Sequence, residues 1–597
     1  MNIPQVANID KFQEAQTVFA GYNHNLVIND TEFYNMKNMT GDYYPVLSPR
    51  KRRGFIRNIP NCKGLIVSEA VAWIQNSGTG DKFYYNGFEK FSMPITNGGQ
   101  RTMLTMGARI IIFPDKVAYN TAGTGSSDWE HLENFWTPAA PSTIQFQLAT
   151  LTGAEMQNTA SSSPPSSPSN GDYWIDTSEE TPVLKVYSEY QDEWNSVAST
   201  YVKIIASGID DGFNVMDAVN ISGLSHDELN GSFVIWAKGE NWILVTAIMS
   251  DFTAQDVTSE SGPISISRTM PDMDYVVESE NRLWGCHWDN TVNEIYACAL
   301  GDPTNWYQQM GTSMDSYGLG VGSDGPFTGA TVHGGYVMFF KDGVIHKLYG
   351  SKPSNYQLTN VTARGISAGS SKSAVVVNET LYYLSKNGIC QYGGGSPSGI
   401  YSRFGGVRYK NGVAGRLIDK YYISMQDKSN NWHLFTYDEV LDQWYKEDST
   451  QFKFCCENKG ILWYVDSNND LWVTDYDNYD GGGDFAATPE PDFEWEAETG
   501  DIGIQEPDYK FYQDFQIRLT MEANTKVKIY FQYDSDGEWH LADTIEKKRK
   551  GCYTIPIHTP KVDHYKMKIA GKGDCKIYLI SKYREYASEV RNIGNKL

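Results

Sequence analysis

The chain has 597 residues, too many for one hydrophobic core, so about three domains are expected. Tyr (39), Trp (16) and Gly (54) are plentiful, as in a turn-rich β protein whose aromatics pack between sheets. The formal net charge of -23, from 50 basic against 73 acidic residues, argues against a general DNA-wrapping role, which needs a basic face, though a local basic patch is still allowed.

At the N-terminus, Met-Asn-Ile-Pro-Gln-Val carries no basic segment followed by an apolar one, so no secretion signal is expected. No apolar run anywhere approaches the ~20 residues of a membrane span. Residues 1–20 are polar and read as a short helix or an arm. Pro and Gly punctuation makes 19–54 extended, so 1–55 is an N-terminal arm leading into the first strands. It ends on Arg50-Lys-Arg-Arg53, four consecutive cations in an acidic protein. These could meet nucleic acid or an acidic partner, or form a solvated or internally paired loop.

Hairpins follow in 56–130, at 64–87 and at 109–119 around Pro114-Asp115, and the pattern resumes in 271–480. Aromatic and β-branched runs flank Asp289-Asn290, Asp342-Gly343, Asn387-Gly388, Lys428-Ser-Asn-Asn431 and Asn468-Asn469. Asp-Gly and Asn-Gly supply the positive φ of a tight hairpin turn. The last four turns are spaced by roughly 45, 43 and 39 residues, close to the ~40–45 of a four-stranded propeller blade. The fold expected is all-β: a β-propeller of about seven blades, with six to eight accepted.

Residues 131–270 lack the blade period and read as one or two small β modules inserted at a loop, where insertions cost little. They contain a Ser/Pro linker, 161–170. From Leu471 to Lys510 there are 12 Asp or Glu and one Lys, and 481–510 reads as an acidic interdomain linker. Residues 511–597 alternate strictly through several strands and should form a C-terminal β-sandwich.

Catalytic motifs are missing: there is no P-loop, dinucleotide fingerprint, Gly-x-Ser-x-Gly elbow or His-Glu-x-x-His. Asp534-Ser-Asp-Gly-Glu538 has alternating carboxylates, as a calcium loop would, but Trp539, His540 and Leu541 stand where such a loop continues, which favours a hairpin turn. Cys455 and Cys456 alternate in a strand and should face opposite ways, so a shared metal is not expected. The eight cysteines lack metal-ligand spacing and read as reduced thiols. His287, His333 and His346 fall on or beside blade strands and read as structural. Propellers also host glycoside hydrolases, which need two carboxylates across a cleft, but nothing singles out a pair. Trp174, Trp194 and Trp236 of the insert could stack on sugar rings or equally pack small β cores. No catalytic, cofactor-binding or metal-binding residue is assigned, and no enzyme activity or cofactor is expected.

Several phrases, in order, resemble virion proteins of tailed bacteriophages. They are 21–30 with Lys37-Asn38 and 43–50; 280–286 with 294–306; 337–345 leading to 384–389; and Trp495 with 498–503, 533–539, Asp563-His564 and 571–574. The set is similar to propeller proteins of the tail, of the nozzle or DNA-stabilisation kind in short-tailed phages. That resemblance implies a structural role in the virion, after assembly in the host cytoplasm. It implies a ring, commonly of six copies, below the portal and adaptor, docking fibres or other tail proteins and passing genomic DNA without reading its sequence. A carbohydrate-binding tail-tip protein is the alternative, and a glycan-cleaving propeller enzyme a more distant one.

Overall fold

The computed structural model describes residues 12–123, 128–178, 182–248, 256–505, 509–546, 550–557 and 561–586. Among them there is no α-helix, only strands and five short 3-10 turns. The fold is the expected β-propeller with an inserted β module and a C-terminal β-sandwich. Two compact units divide the chain: unit 1 comprises 1–100, 328–346 and 360–597, and unit 2 comprises 101–327 and 347–359.

Seven blade sheets follow in chain order: 62–92, 102–131, 275–320, 327–362, 375–399, 410–446 and 454–473. The first six are four-stranded meanders. The seventh has only three consecutive strands, and Gly54–Asn58 from the N-terminal segment adds the fourth against Asp470–Val473. In each blade the second strand is buried on both faces, as in Ile110 to Ile112, Leu283 to Cys286 and Leu381 to Leu384. These positions therefore read as continuous apolar runs rather than alternation. Apart from glycine, the left-handed residues are mostly asparagine, including Asn86, Asn281, Asn378, Asn430 and Asn469. Gly388 takes φ 134°, whereas Asp342-Gly343 turns with neither residue left-handed, so positive φ is not what makes that hairpin.

In unit 1 the sandwich has two sheets. One orders Phe12–Gln16, Cys575–Tyr586, Lys510–Met521 and Gly551–Ile555; the other orders Phe33–Lys37, Glu494–Thr499, Tyr565–Lys572, Lys526–Tyr533 and His540–Ile545. Ile517, Leu519, Val527, Ile529, Phe531 and Ile569 alternate inward along the strands to fill its core. Two strands refine the sequence reading. Of the two readings of 1–20, the arm is the one found, with Phe12–Gln16 an edge strand of the sandwich, and Glu494–Thr499, placed in the acidic linker, is an inner strand of it. Its alternation is masked in the sequence because its outward positions, Glu494, Glu496 and Glu498, are all acidic, while Trp495 and Ala497 point inward and are 1% exposed.

The N-terminal segment is therefore the mortar of unit 1. Phe19, Tyr22, Phe33 and Met36 share one core cluster with Phe435, Trp444 and Tyr445 of the sixth blade and with the sandwich. Tyr22 N donates to Trp444 O (2.5 Å), His24 N to Arg403 O (2.7 Å) and Asn38 N to Glu447 O (2.7 Å).

In unit 2 the inserted module is built of three sheets. Asn134–Trp136, Ser265–Arg268, Ala218–Ser222 and Gly231–Val234 form one; a five-stranded sheet centred on Ser199–Ile205 packs with it around Ile144, Phe146, Val202, Ile204, Ile243 and Ile266. The third, 158–196, carries the Ser/Pro stretch as the loop between the parallel strands Asn158–Ser161 and Tyr173–Asp176.

Candidate functional site

The basic run Arg50 to Arg53 is the densest charge feature of the sequence, and its surroundings decide what it can do. Arg50 and Arg53 are buried, at 6% and 5% exposure. The Arg53 guanidinium donates to Glu447 Oε2 (2.6 Å), Asp448 Oδ2 (2.8 Å) and Thr450 Oγ1 (2.9 Å), and its backbone N–H to Glu490 Oε1 (2.9 Å). Arg50 pairs with Glu490, donates from Nε to Asn38 Oδ1 (2.9 Å), and lies over the Phe493 ring at 4.0 Å. Lys51 Nζ meets Asp475 (2.7 Å) and Arg52 meets Asp492 (2.7 Å). Four cations thus face five carboxylates, three of them from the acid-rich stretch 471–510. Burial works against the charge of half-buried Asp448, but Arg53 and then Arg50 outweigh it and hold the carboxyl well below its ordinary range. The run is an internal latch between the N-terminal segment, the sixth blade and the strand leading into the sandwich.

Beside the latch lies a cavity of about 630 Å³, with Tyr43, Tyr44, Ile418 and Val440 exposed at its rim. Lys420 in its lining meets Asp42 and, at 3.8 Å, Asp438.

The remaining sequence candidates resolve individually. In Asp534-Ser-Asp-Gly-Glu538, Asp534 Oδ1 accepts the N–H groups of Asp563 (2.8 Å) and His564 (3.2 Å), while Asp536 Oδ1 accepts that of Glu538 (2.9 Å). This is a hairpin turn, and no group of three or more metal-ligating side chains occurs among the described residues. Cys455 packs with Tyr422 and Leu462, and Cys456 with Trp463 and Val465, on different core clusters. Burial pushes the Cys456 thiol up to about 12. All eight cysteines are free thiols. His333 Nε2 lies 2.8 Å from Glu379 O, His346 is buried with burial and Lys341 pulling its pKa down to about 4, and His287 sits 3.5 Å from Asp274.

The three tryptophans of the insert separate sharply. Trp174 is 5% exposed and its indole N–H reaches Ser161 O (3.0 Å). Trp194 packs edge-on against it at 5.4 Å. Trp236 lines a cavity of about 690 Å³ between a sheet of the module and the loop that carries Tyr307.

No protein-family model matches the chain, and no curated protein is similar to it. Among solved structures, exo-β-1,3-galactanase from Phanerochaete chrysosporium aligns at 10% identity and a TM-score of 0.20, covering 52% of this chain and 95% of the galactanase. The WD40 repeats of RRP9 align at 8% and 0.22, covering 57% and 99%, and the endosialidase of phage phi92 at 11% and 0.25, covering 90% and 81%. At TM-scores this low, none of these likenesses bears on what the chain does.

The cavity at Trp236 was not legible beforehand, because its walls come from separate stretches near 220, 235, 267 and 308. The latch was half legible. A basic run and an acidic stretch are each plain in the sequence, but nothing local says that they pair.

Proposed function

We propose that the chain is a structural protein of a bacteriophage tail, a scaffold rather than an enzyme. In this reading it assembles as a nozzle-like homohexameric ring below the portal and adaptor, continues the DNA exit channel and docks other tail proteins. The ordered phrases from 21–30 to 571–574 support the family resemblance. The observation that carries the reading is the latch. The strongest basic feature of a chain with net charge -23 is turned inward and neutralised by Glu447, Asp448, Asp475, Glu490 and Asp492. A wall of that character repels a duplex and lets it slide, where a basic wall would hold it. Rings close when one heterologous contact repeats until the rotation is complete. Light scattering and negative-stain imaging of the purified full chain should give a ring or tube of several copies, and mass spectrometry of phage particles should find the chain in them. A monomer absent from particles overturns the reading.

A further inference from the structure

We propose that the cavity on the inserted module is a binding cleft for a neutral oligosaccharide. The floor is the outward face of the sheet 218–222/231–234/265–268, whose inward positions, Val219, Ile221 and Ile266, are core. Cross-strand register places Ser267 beside Asn220 and Asn220 beside Ser232, a row of short polar side chains on one face. The row continues to Phe135, paired with Ser267 and 58% exposed. One wall brings Trp236 and Thr246, the other Tyr307 and Gln309.

Three features point to a sugar. First, no lining residue is charged, in a chain of which 21% is Asp, Glu, Lys or Arg. Phosphate, nucleic acid and acidic peptides would need cations there. Second, the side chains of Asn220, Ser232, Thr246, Ser267, Thr269 and Gln309 have no intramolecular hydrogen-bond partner among the described residues, and neither does the indole N–H of Trp236. These are amide and hydroxyl groups that donate and accept, as sugar hydroxyls require. Third, two aromatic rings flank the polar floor. Trp236 is held edge-on to Tyr201 at 5.8 Å, and Tyr307 is 48% exposed. An apolar ring beside fixed polar groups is what an amphipathic pyranose face matches. The volume of about 690 Å³ falls within the ~300–1,000 Å³ of small-ligand sites.

The wall carrying Tyr307 is preorganised. Burial opposes the charge of Asp315, but the Thr312 hydroxyl and the N–H groups of Thr312, Met310 and Gly311 hold its carboxyl below the ordinary range. Arg282 ties the same loop by donating to Cys298 O (2.7 Å), Asp315 O (2.6 Å) and Ser313 O (2.8 Å). Asn305 Nδ2 donates to Met216 O (2.7 Å), and its Oδ1 accepts the N–H of Ala218 (3.2 Å), joining loop to floor. A site whose walls are fixed beforehand loses less freedom on binding.

The test uses the full chain on an array of neutral, acidic and amino oligosaccharides that includes cello-, malto-, galacto- and N-acetylglucosamine oligomers. Binding to neutral members is expected, weakened on the order of tenfold or more by Trp236→Ala. Asn220→Asp, at an exposed floor position, should abolish it without changing the melting temperature. Tyr190→Ala, 98% exposed in the turn between Val183–Ser188 and Glu193–Ser196 of another sheet, should bind like wild type. A blank array, binding to acidic members only, or undiminished binding by Asn220→Asp overturns the proposal. If Trp236→Ala fails to fold, Asn220→Asp decides. Incorporation into phage particles is scored separately, so this proposal and the structural role fail independently.

Discussion

At the scale of single residues, the latch shows how neighbours convert an apparent binding patch into structure. Arg53 is desolvated, and it is kept charged by Asp448, Glu447 and Glu490 around it. Removing one partner of such a network leaves the others buried and uncompensated, so Arg53→Leu should cost about 3–5 kcal/mol in urea denaturation. The same network predicts a pH dependence. The Asp448 carboxyl has a lower pKa folded than unfolded, so as pH falls the unfolded chain takes up the proton first. Its stabilisation is complete at neutral pH and is lost below the unfolded value of ~3.9. The denaturation midpoints of wild type and Asp448→Asn should differ by a constant amount from neutral pH down to about pH 5 and converge below about pH 4. A gap that persists in acid contradicts this account of Asp448.

At the scale of elements, hairpins are local and were legible; the N-terminal segment was not. A blade hairpin is encoded by two apolar runs and the turn between them, all within about 15 residues, so the pattern survives in the sequence. The segment 12–58 pairs instead with strands more than 400 residues away, as Phe12 does with Arg584 and Phe33 with Thr499. Its own pattern says only that it is extended. One glycine fixes its path: a Cβ on Gly21 would lie 2.1 Å from Trp444 O, a backbone atom that cannot swing aside. Gly21→Ala should loosen the segment, costing on the order of 1–3 kcal/mol and speeding proteolysis within 12–58. Gly99→Ala, where a Cβ meets nothing within 4 Å, should leave the cleavage rate unchanged.

At the scale of the whole molecule, charge sets what the surface can hold. With net charge -23 and its four-cation run paired internally, the chain should not shift duplex DNA at about 0.15 M salt, where the Debye length is ~8 Å and only close cations count. A shift at submicromolar protein in an electrophoretic assay would contradict both the latch and the sliding wall built on it.

By itself the sequence determined what is periodic and local: all-β class, about seven blade hairpins, an insertion that breaks the period, and an alternating C-terminal domain. Period-two patterning and turn residues act over a few positions, so they can be read without knowing what the strand faces. Tertiary structure alone decided the rest. It made Gly54–Asn58 the closing strand of the seventh blade, gave Glu494–Thr499 to the sandwich, and set the basic run against the acidic stretch. It also chose, among three similar tryptophans, the one that faces a cleft. Each of these outcomes depends on which distant segments meet. That choice is made by the burial and charge pairing of the assembled fold, and no local window carries it.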